Sequence, residues 1–126
     1  MQAFYADQFV LPLPPGHRFP MSKYRLLRER LEGLAGLRMC QAEPASDGEI
    51  ALAHTPGYLA SVVDGTLSAA QQREIGFPWS EAMVERARRS VGATIAAARA
   101  AIASLHGKPI SRCWAAPSVP SVTAVR

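Results

Sequence analysis

Residues 80–105 read SEAMVERARRSVGATIAAARAAIASL, and the class of fold turns on how this stretch is read. Ser80 stands where an N-cap belongs, and Glu81 and Glu85 put negative charge near the positive end of a helix dipole. Val84, Ala87, Val91, Ile95, Ala98 and Ile102 recur at spacings of three and four. That period predicts a helix from Ser80 to about Leu105 with one continuous buried face, opposite Arg86, Arg89 and Arg99. The alanine-rich composition favours the helix, and Gly92 is expected to weaken it by about 1 kcal/mol.

Upstream, the elements are short. Ala3–Ala6 (AFYA) is apolar and aromatic, as a buried first strand would be. Pro12, Pro14, Pro15 and Pro20 then forbid regular pairing across LPLPPGHRFP and stiffen the loop. Ser22 is placed to cap a helix from Lys23 to about Leu34, with Leu26, Leu27, Leu31 and Leu34 on one stripe and Gly36 just past its end. Leu37–Gln41 reads as a second strand. Ser46-Asp47-Gly48-Glu49 is a capping box opening a short helix through Ala53. Thr55-Pro56 starts another helix, which Leu59, Val62 and Val63 give an apolar side and Gly65 ends. Ser68-Ala69-Ala70-Gln71 repeats the capping-box pattern before a helical turn that stops near Gly76. Trp79, just ahead of the long helix, is expected to anchor packing. No internal repeat is visible.

After Gly107 the pattern stops. KPISRCWAAPSVPSVTAVR holds three prolines and no hydrophobic period. The chain therefore divides into residues 1–105, part of one domain, and an irregular, divergent tail, 106–126. Its residues and codon degeneracy are compatible with a shifted reading frame, so a frameshifted or truncated gene product is the reading offered for the loss of pattern.

Composition sets the outer bounds. Hydrophobic residues make up 48% and charged residues 19% of 126, the mixture of a globular protein rather than a disordered one. No apolar run approaches the roughly 20 residues needed to cross a bilayer, and the first residues lack a basic signal-peptide region, so a cytoplasmic location is expected. The net charge of +4 sits mostly in the tail, through Lys108, Arg112 and Arg126. Nucleic acid is accordingly not expected as a partner, since no basic face tracks phosphates. Cys40 and Cys113 lack a CxxC spacing and suit reduced intracellular thiols, with Cys40 buried and inert in its strand.

The order of strand, GHRFPM loop, helix KYRLLRERL, short strand, AHTPGYLASVVDGTLS, GFPWS and long alanine-rich helix resembles the opening of the histone-deacetylase superfamily. Within it the nearest likeness is to bacterial acetoin-utilisation and acetylpolyamine-type deacetylases. The resemblance covers about residues 2–105 and implies an α/β class: the N-terminal fragment of an arginase/deacetylase-like parallel-sheet fold, helix-dominated with two short strands. The family hydrolyses acetyl-amides of lysine or polyamines with a zinc-activated water. Its first loop frames the substrate tunnel with a Gly-His-Pro-Met-like motif followed by an arginine. Here Gly16-His17 and Pro20-Met21 match, with Arg18 and Phe19 inserted. The resemblance thus implies His17, Phe19, Pro20 and Met21 near the tunnel rim and Arg25 beside an internal acetate channel.

The same likeness marks what is missing. The family's Gly-Gly-Thr-His-His-type segment, its Asp-x-His, its second aspartate and its oxyanion-stabilising tyrosine have no counterpart here. A catalytic zinc needs about three ligands at roughly 2.0–2.2 Å. The three histidines, His17, His54 and His106, are far apart, with no pair at the spacing that places two ligands on one face. The expectation is therefore no catalytic residue, no metal ligand and no cofactor in this chain, zinc belonging to the full-length family. Whether the chain is an enzyme is left open.

Blander readings stand beside these. His17 and Arg25 taken singly are a solvent-facing or structural histidine and a solvated charge, and His54 is a helix-junction residue. Arg86, Arg88, Arg89 and Arg99 form a solvated helix face before they form a phosphate site, and Asp7 a turn cap before a functional group. The alternative function is a non-catalytic helical module that binds a partner through apolar surface. Two strands and one long helix cannot cover one another as a full sheet would, so self-association through exposed apolar surface is expected.

Overall fold

A computed structural model describes residues 1–8 and 10–107. The tail from Lys108, with its proposed frame change, lies outside the described residues. Strand β1 (Gln2–Tyr5) is followed by α1 (Lys23–Leu31), β2 (Arg38–Gln41), α2 (Asp47–Ile50), α3 (Pro56–Val63), α4 (Ala69–Ile75) and α5 (Glu81–Leu105). The strands pair in parallel, Gln2 opposite Arg38 through Tyr5 opposite Gln41. This is a helix-rich, partial α/β arrangement, as expected. The parallel pairing follows from the long intervening connection, which a hairpin could not supply.

Local chemistry starts most of the helices. Ser46 Oγ accepts from the Glu49 N–H at 3.2 Å while Glu49 Oε2 accepts from the Ser46 N–H at 2.9 Å. Ser68 and Gln71 repeat the exchange at 3.3 and 2.9 Å. Each box satisfies two donors that a helix start leaves open. Thr55 Oγ1 and Ser80 Oγ cap α3 and α5 through Tyr58 and Met83 N–H. Ser22 does not cap α1. Its own backbone is already helical, and no bond reaches its side chain from the first turn; the chain enters α1 through a turn in which the Lys23 N–H donates to Pro20 O at 3.1 Å. α1 and α2 also end three residues earlier than their sequence patterns indicate.

Gly92 is not the tolerated weak point that helix propensity makes of it. Here α5 crosses the segment leaving β2, and a Cβ on Gly92 would lie 1.9 Å from Glu43 O and 2.8 Å from Ala45 N. The Ala45 N–H donates to Arg88 O at 2.9 Å, so a helix carbonyl also receives a strand-exit amide. Only glycine permits that approach. Cys40, Ala42 and Ala45 are buried beneath the crossing. Cys40 is packed as expected, but its sulfur is disulfide-bonded rather than the free thiol read from the sequence.

The crossing also sets which face of α5 is covered. Met83, Val84 and Gly92 are buried, and Gly92, Ile95 and Ala96 line the junction with Phe4 and residues 41–45. The expected continuous face is therefore broken. Val84 is covered, but Ala87, Val91 and Ala98 are exposed, as are Ile102 at 55% and Leu105 at 85%. α1 departs likewise: Leu26, Leu27 and Leu34 face solvent, and the half-buried row is Tyr24, Arg28 and Leu31. Arg28 turns inward because its Nε donates to Asp7 Oδ2 at 2.7 Å, just beyond β1. The main core lies at the other end of α5, where Leu11, Met83 and Val84 gather Leu13, Met21, Val62, Val63, Ile75, Phe77 and Trp79. Trp79 is the expected anchor: Nε1 donates to Val62 O at 2.8 Å, and its ring lies where a side chain on Gly65 (φ 71°) would have to go.

Two predictions follow from this packing. Gly92→Ala should lose about 3 kcal/mol, the upper end of overpacking costs, whereas Gly57→Ala, in open space within α3, should gain up to about 1 kcal/mol; urea unfolding monitored by circular dichroism separates the two signs. The Glu49 carboxylate is held below the ordinary glutamate value by the Ser46 N–H, then the Ser46 hydroxyl, then Arg99. Its stabilisation is therefore complete above that ordinary value and fades as pH falls through the lower folded one. Glu49→Gln should lower the thermal midpoint at neutral pH, and the two proteins should converge in acid.

Candidate functional site

The β1–α1 loop is built on prolines and one left-handed glycine. Gly16 (φ 79°) closes a turn in which the His17 N–H donates to Pro14 O at 3.1 Å. The Phe19 N–H then donates to His17 Nδ1 at 3.1 Å. With Nδ1 accepting, a neutral His17 ring carries its proton on Nε2. The inserted pair Arg18-Phe19 is thus part of the loop's own bonding, because it brings the Phe19 amide back over the histidine.

The rings assemble on a residue distant in sequence. Phe77, between α4 and α5, stacks on His17 at 5.7 Å and meets Phe19 edge-on at 5.2 Å. Phe19 also lies 6.2 Å from the Tyr24 ring. Lys23 Nζ sits 4.2 Å above Phe19, and Arg86 of α5 lies 4.3 Å over Tyr24. These are cation–π distances that let the cationic heads stay hydrated while their stems cover apolar surface. An open groove of about 510 Å³ runs past His17 and Phe77 along Gln72, Arg73 and Pro78. A second, apolar cavity of about 390 Å³ lies behind Phe77, between α3 and α5.

The rim residues read from the sequence are therefore brought together in part. His17 and Phe19 share Phe77, Met21 packs on the core, and Pro20 offers its carbonyl to Lys23. Arg25 lies elsewhere, on the exposed side of α1, paired with Glu29 at 2.7 Å. The arginine that points inward is Arg28. Asp7, then Glu32, raise its already high pKa through side-chain hydrogen bonds, and the Asp7 side chain is 10% exposed. Sequence reasoning missed Phe77, Tyr24 and the Asp7–Arg28 pair. The charges are 21 residues apart and Phe77 lies far along the chain from the loop, so no local period connects them.

The arginines of α5 are engaged as well: Arg88 with Asp47, Arg89 with Glu85 and Arg99 with Glu49, each at 2.8 Å. They tie α5 to α2 and to itself rather than forming the plain solvated face expected. His54 lies against Tyr58 at 5.6 Å, at the helix junction, and His106 Nδ1 is 2.8 Å from Ile102 O. Among the described residues no group of three His, Cys, Asp or Glu side chains is placed to hold a metal ion. These residues do not fit a zinc ion, and no reaction step is assigned to them. Stacked rings, cationic heads and a histidine donor instead form a surface that can bind and orient a ligand. No helix among the described residues is long and apolar enough to cross a membrane.

Comparison with known proteins bears on this arrangement. The family model of the Histone deacetylase domain matches residues 17–117, beginning at His17 and continuing past α5. An uncharacterized protein of Picosynechococcus sp. is 38% identical over 101 residues, which are 78% of this chain and 34% of the relative. The chain thus spans about a third of the length of the curated relative it matches.

The ring cluster makes a direct prediction. Phe77→Leu keeps apolar volume at a cost under about 1.5 kcal/mol but removes the shared aromatic face. The His17 ring-proton resonances should shift while the Ile102 methyl signals, at the far exposed end of α5, stay near their wild-type positions; unchanged His17 resonances would contradict the stacking.

Proposed function

The chain belongs to the histone deacetylase family, and on that premise we propose that its residues supply the scaffold and substrate-rim portion of a zinc amidohydrolase fold without hydrolysing acetyl-amides by themselves. The observation that carries this reading is the pairing of a formed rim with an unsuitable donor set. His17, Phe19 and Phe77 build a continuous ring surface at the head of the family match, yet no described trio of ligands converges. An attacking water has then no metal ion to lower its pKa, which in this chemistry is the source of a nucleophile at neutral pH.

In this proposal His17, Phe19, Pro20 and Met21 face the acyl-amine chain of an acetyl-lysine or acetylpolyamine substrate. Apolar rings line its methylene groups, and the histidine Nε2–H donates to a carbonyl. Arg25 is retained as the acetate-channel residue that the resemblance implies, although its present partner is Glu29. A cytoplasmic location suits the acetyl-amide substrates. A partner-binding module is the second reading, favoured by the exposed leucines of α1 and the outer side of α5.

Zinc titration by calorimetry, together with hydrolysis assays on acetyl-lysine peptide and acetylspermidine, tests the reading. The expected result is no stoichiometric zinc and no turnover above buffer. One tightly held equivalent of zinc with chelator-sensitive hydrolysis would overturn it.

A further inference from the structure

We propose that the apolar cavity between α3 and α5 is a binding site for a medium-chain carboxylate, an aliphatic tail carrying one negatively charged head. The site is distinct from the loop on which the hydrolase reading depends: none of His17, Phe19, Pro20, Met21 or Arg25 lines the cavity.

The cavity has a buried floor and an exposed opening. Leu11, Met83 and Val84, the buried centre of the main core, close it from within. Val62 and Val63 of α3 form a half-buried wall, and His54, Ala87, Ser90 and Val91 meet solvent at the opening. Its volume is about 390 Å³. That is more than twice the roughly 150 Å³ of an apolar void that already takes a benzene-sized guest, and it falls within the range of about 300–1,000 Å³ usual for ligand pockets. Ordinary packing defects in a protein interior are no larger than a water molecule.

Charge selects the head. Arg86, Arg88 and His54 stand in the wall with the hydroxyl-bearing Tyr58 and Ser90, and among the described residues no aspartate or glutamate lines it. An ammonium head would meet positive or neutral groups there, whereas a carboxylate meets hydrogen-bond donors. Arg88 already holds a carboxylate, since its Nη2 donates to Asp47 Oδ1 at 2.8 Å. The Asp47 side chain is 59% exposed, so the pair is weakly held, and the planar guanidinium fork can share itself with a second carboxylate or turn to it. Arg86 is engaged over the Tyr24 ring at 4.3 Å and adds positive field rather than acting as the clamp. The tail follows from the helix. Arg88 lies four residues beyond Val84 on α5, about 6 Å of rise, so a chain of medium length reaches from the guanidinium to the floor.

Octanoate is titrated into the full chain while the Val62 and Val63 methyl resonances are followed by NMR. Saturable shifts are expected, with octylamine and octanol binding at least tenfold more weakly and acetate, which has no tail, leaving the methyls unmoved. Arg88→Gln should weaken octanoate at least tenfold and leave octanol unchanged, a split that a general loss of structure does not produce. Ala87→Phe, at an exposed position of the opening, should fill the entrance and abolish the shifts, with circular dichroism like that of wild type. Equal binding of octanol or octylamine, full affinity in Arg88→Gln, or no saturable shift at millimolar octanoate would overturn the proposal. So would shifts confined to the exposed Leu26 and Leu27 of α1, which mark adsorption to an open apolar surface. None of these readouts involves zinc or amide hydrolysis, so the outcome leaves the hydrolase reading where it stood.

Discussion

The close approach of α5 to the exit of β2 is the constraint from which the rest of the arrangement follows. Without a side chain at Gly92, the helix backbone descends onto Glu43 and Ala45, and the Arg88 carbonyl receives the Ala45 amide. That contact fixes both the height and the rotation of a 25-residue helix. Once the rotation is set, Met83 and Val84 reach the main core, Arg86 reaches Tyr24, and Arg88 and Arg99 meet the acids of the capped α2 segment. The same rotation leaves Ile102 and Leu105 outside. Any bulkier residue at position 92 would lift the helix and alter all of these contacts together.

The ring cluster of His17, Phe19 and Phe77 is the other end of the same lever. Phe77 sits in the connection that Trp79 pins to α3, and Trp79 in turn stands immediately before the Ser80 cap of α5. The ring against which His17 and Phe19 rest is therefore positioned by the helix that Gly92 positions. This gives a physical reason for the β1–α1 loop and a long helix to occur together in one family match, although no local motif joins them. From the opposite side, Asp7 and Arg28 lock α1 to the end of β1. The loop between them has both ends held and a proline-stiffened middle, which favours a preformed binding surface over one that orders only on contact.

Helix starts were legible in the sequence. Ser46, Thr55, Ser68 and Ser80 act within three residues of themselves, so the chemistry of each cap is complete in a short window. The exception is Ser22, where the preceding proline turn had already committed the backbone to a helical conformation. Of the ring cluster, His17 and Phe19 stood out in the sequence through the loop motif. Their shared partner Phe77 did not, because GFPWS carries no signal of what its phenylalanine touches. Arg25 and Arg28 differ by less than one helical turn, and sequence spacing offered no means of choosing which would turn inward. Asp7 made that choice.

The residues by themselves determined the order of elements, the caps of α2 to α5, the α/β class and the family, because each depends on local pattern or on the order of short motifs. Only the tertiary structure decided which apolar stripe is covered. Hydrophobic period identifies a face able to be buried, but α5 carries apolar residues on more than one side, and burial follows the side that can come closest. Backbone-to-backbone approach at Gly92 outweighs the larger side chains opposite, since a glycine admits a hydrogen bond and close packing that valine and isoleucine would hold apart.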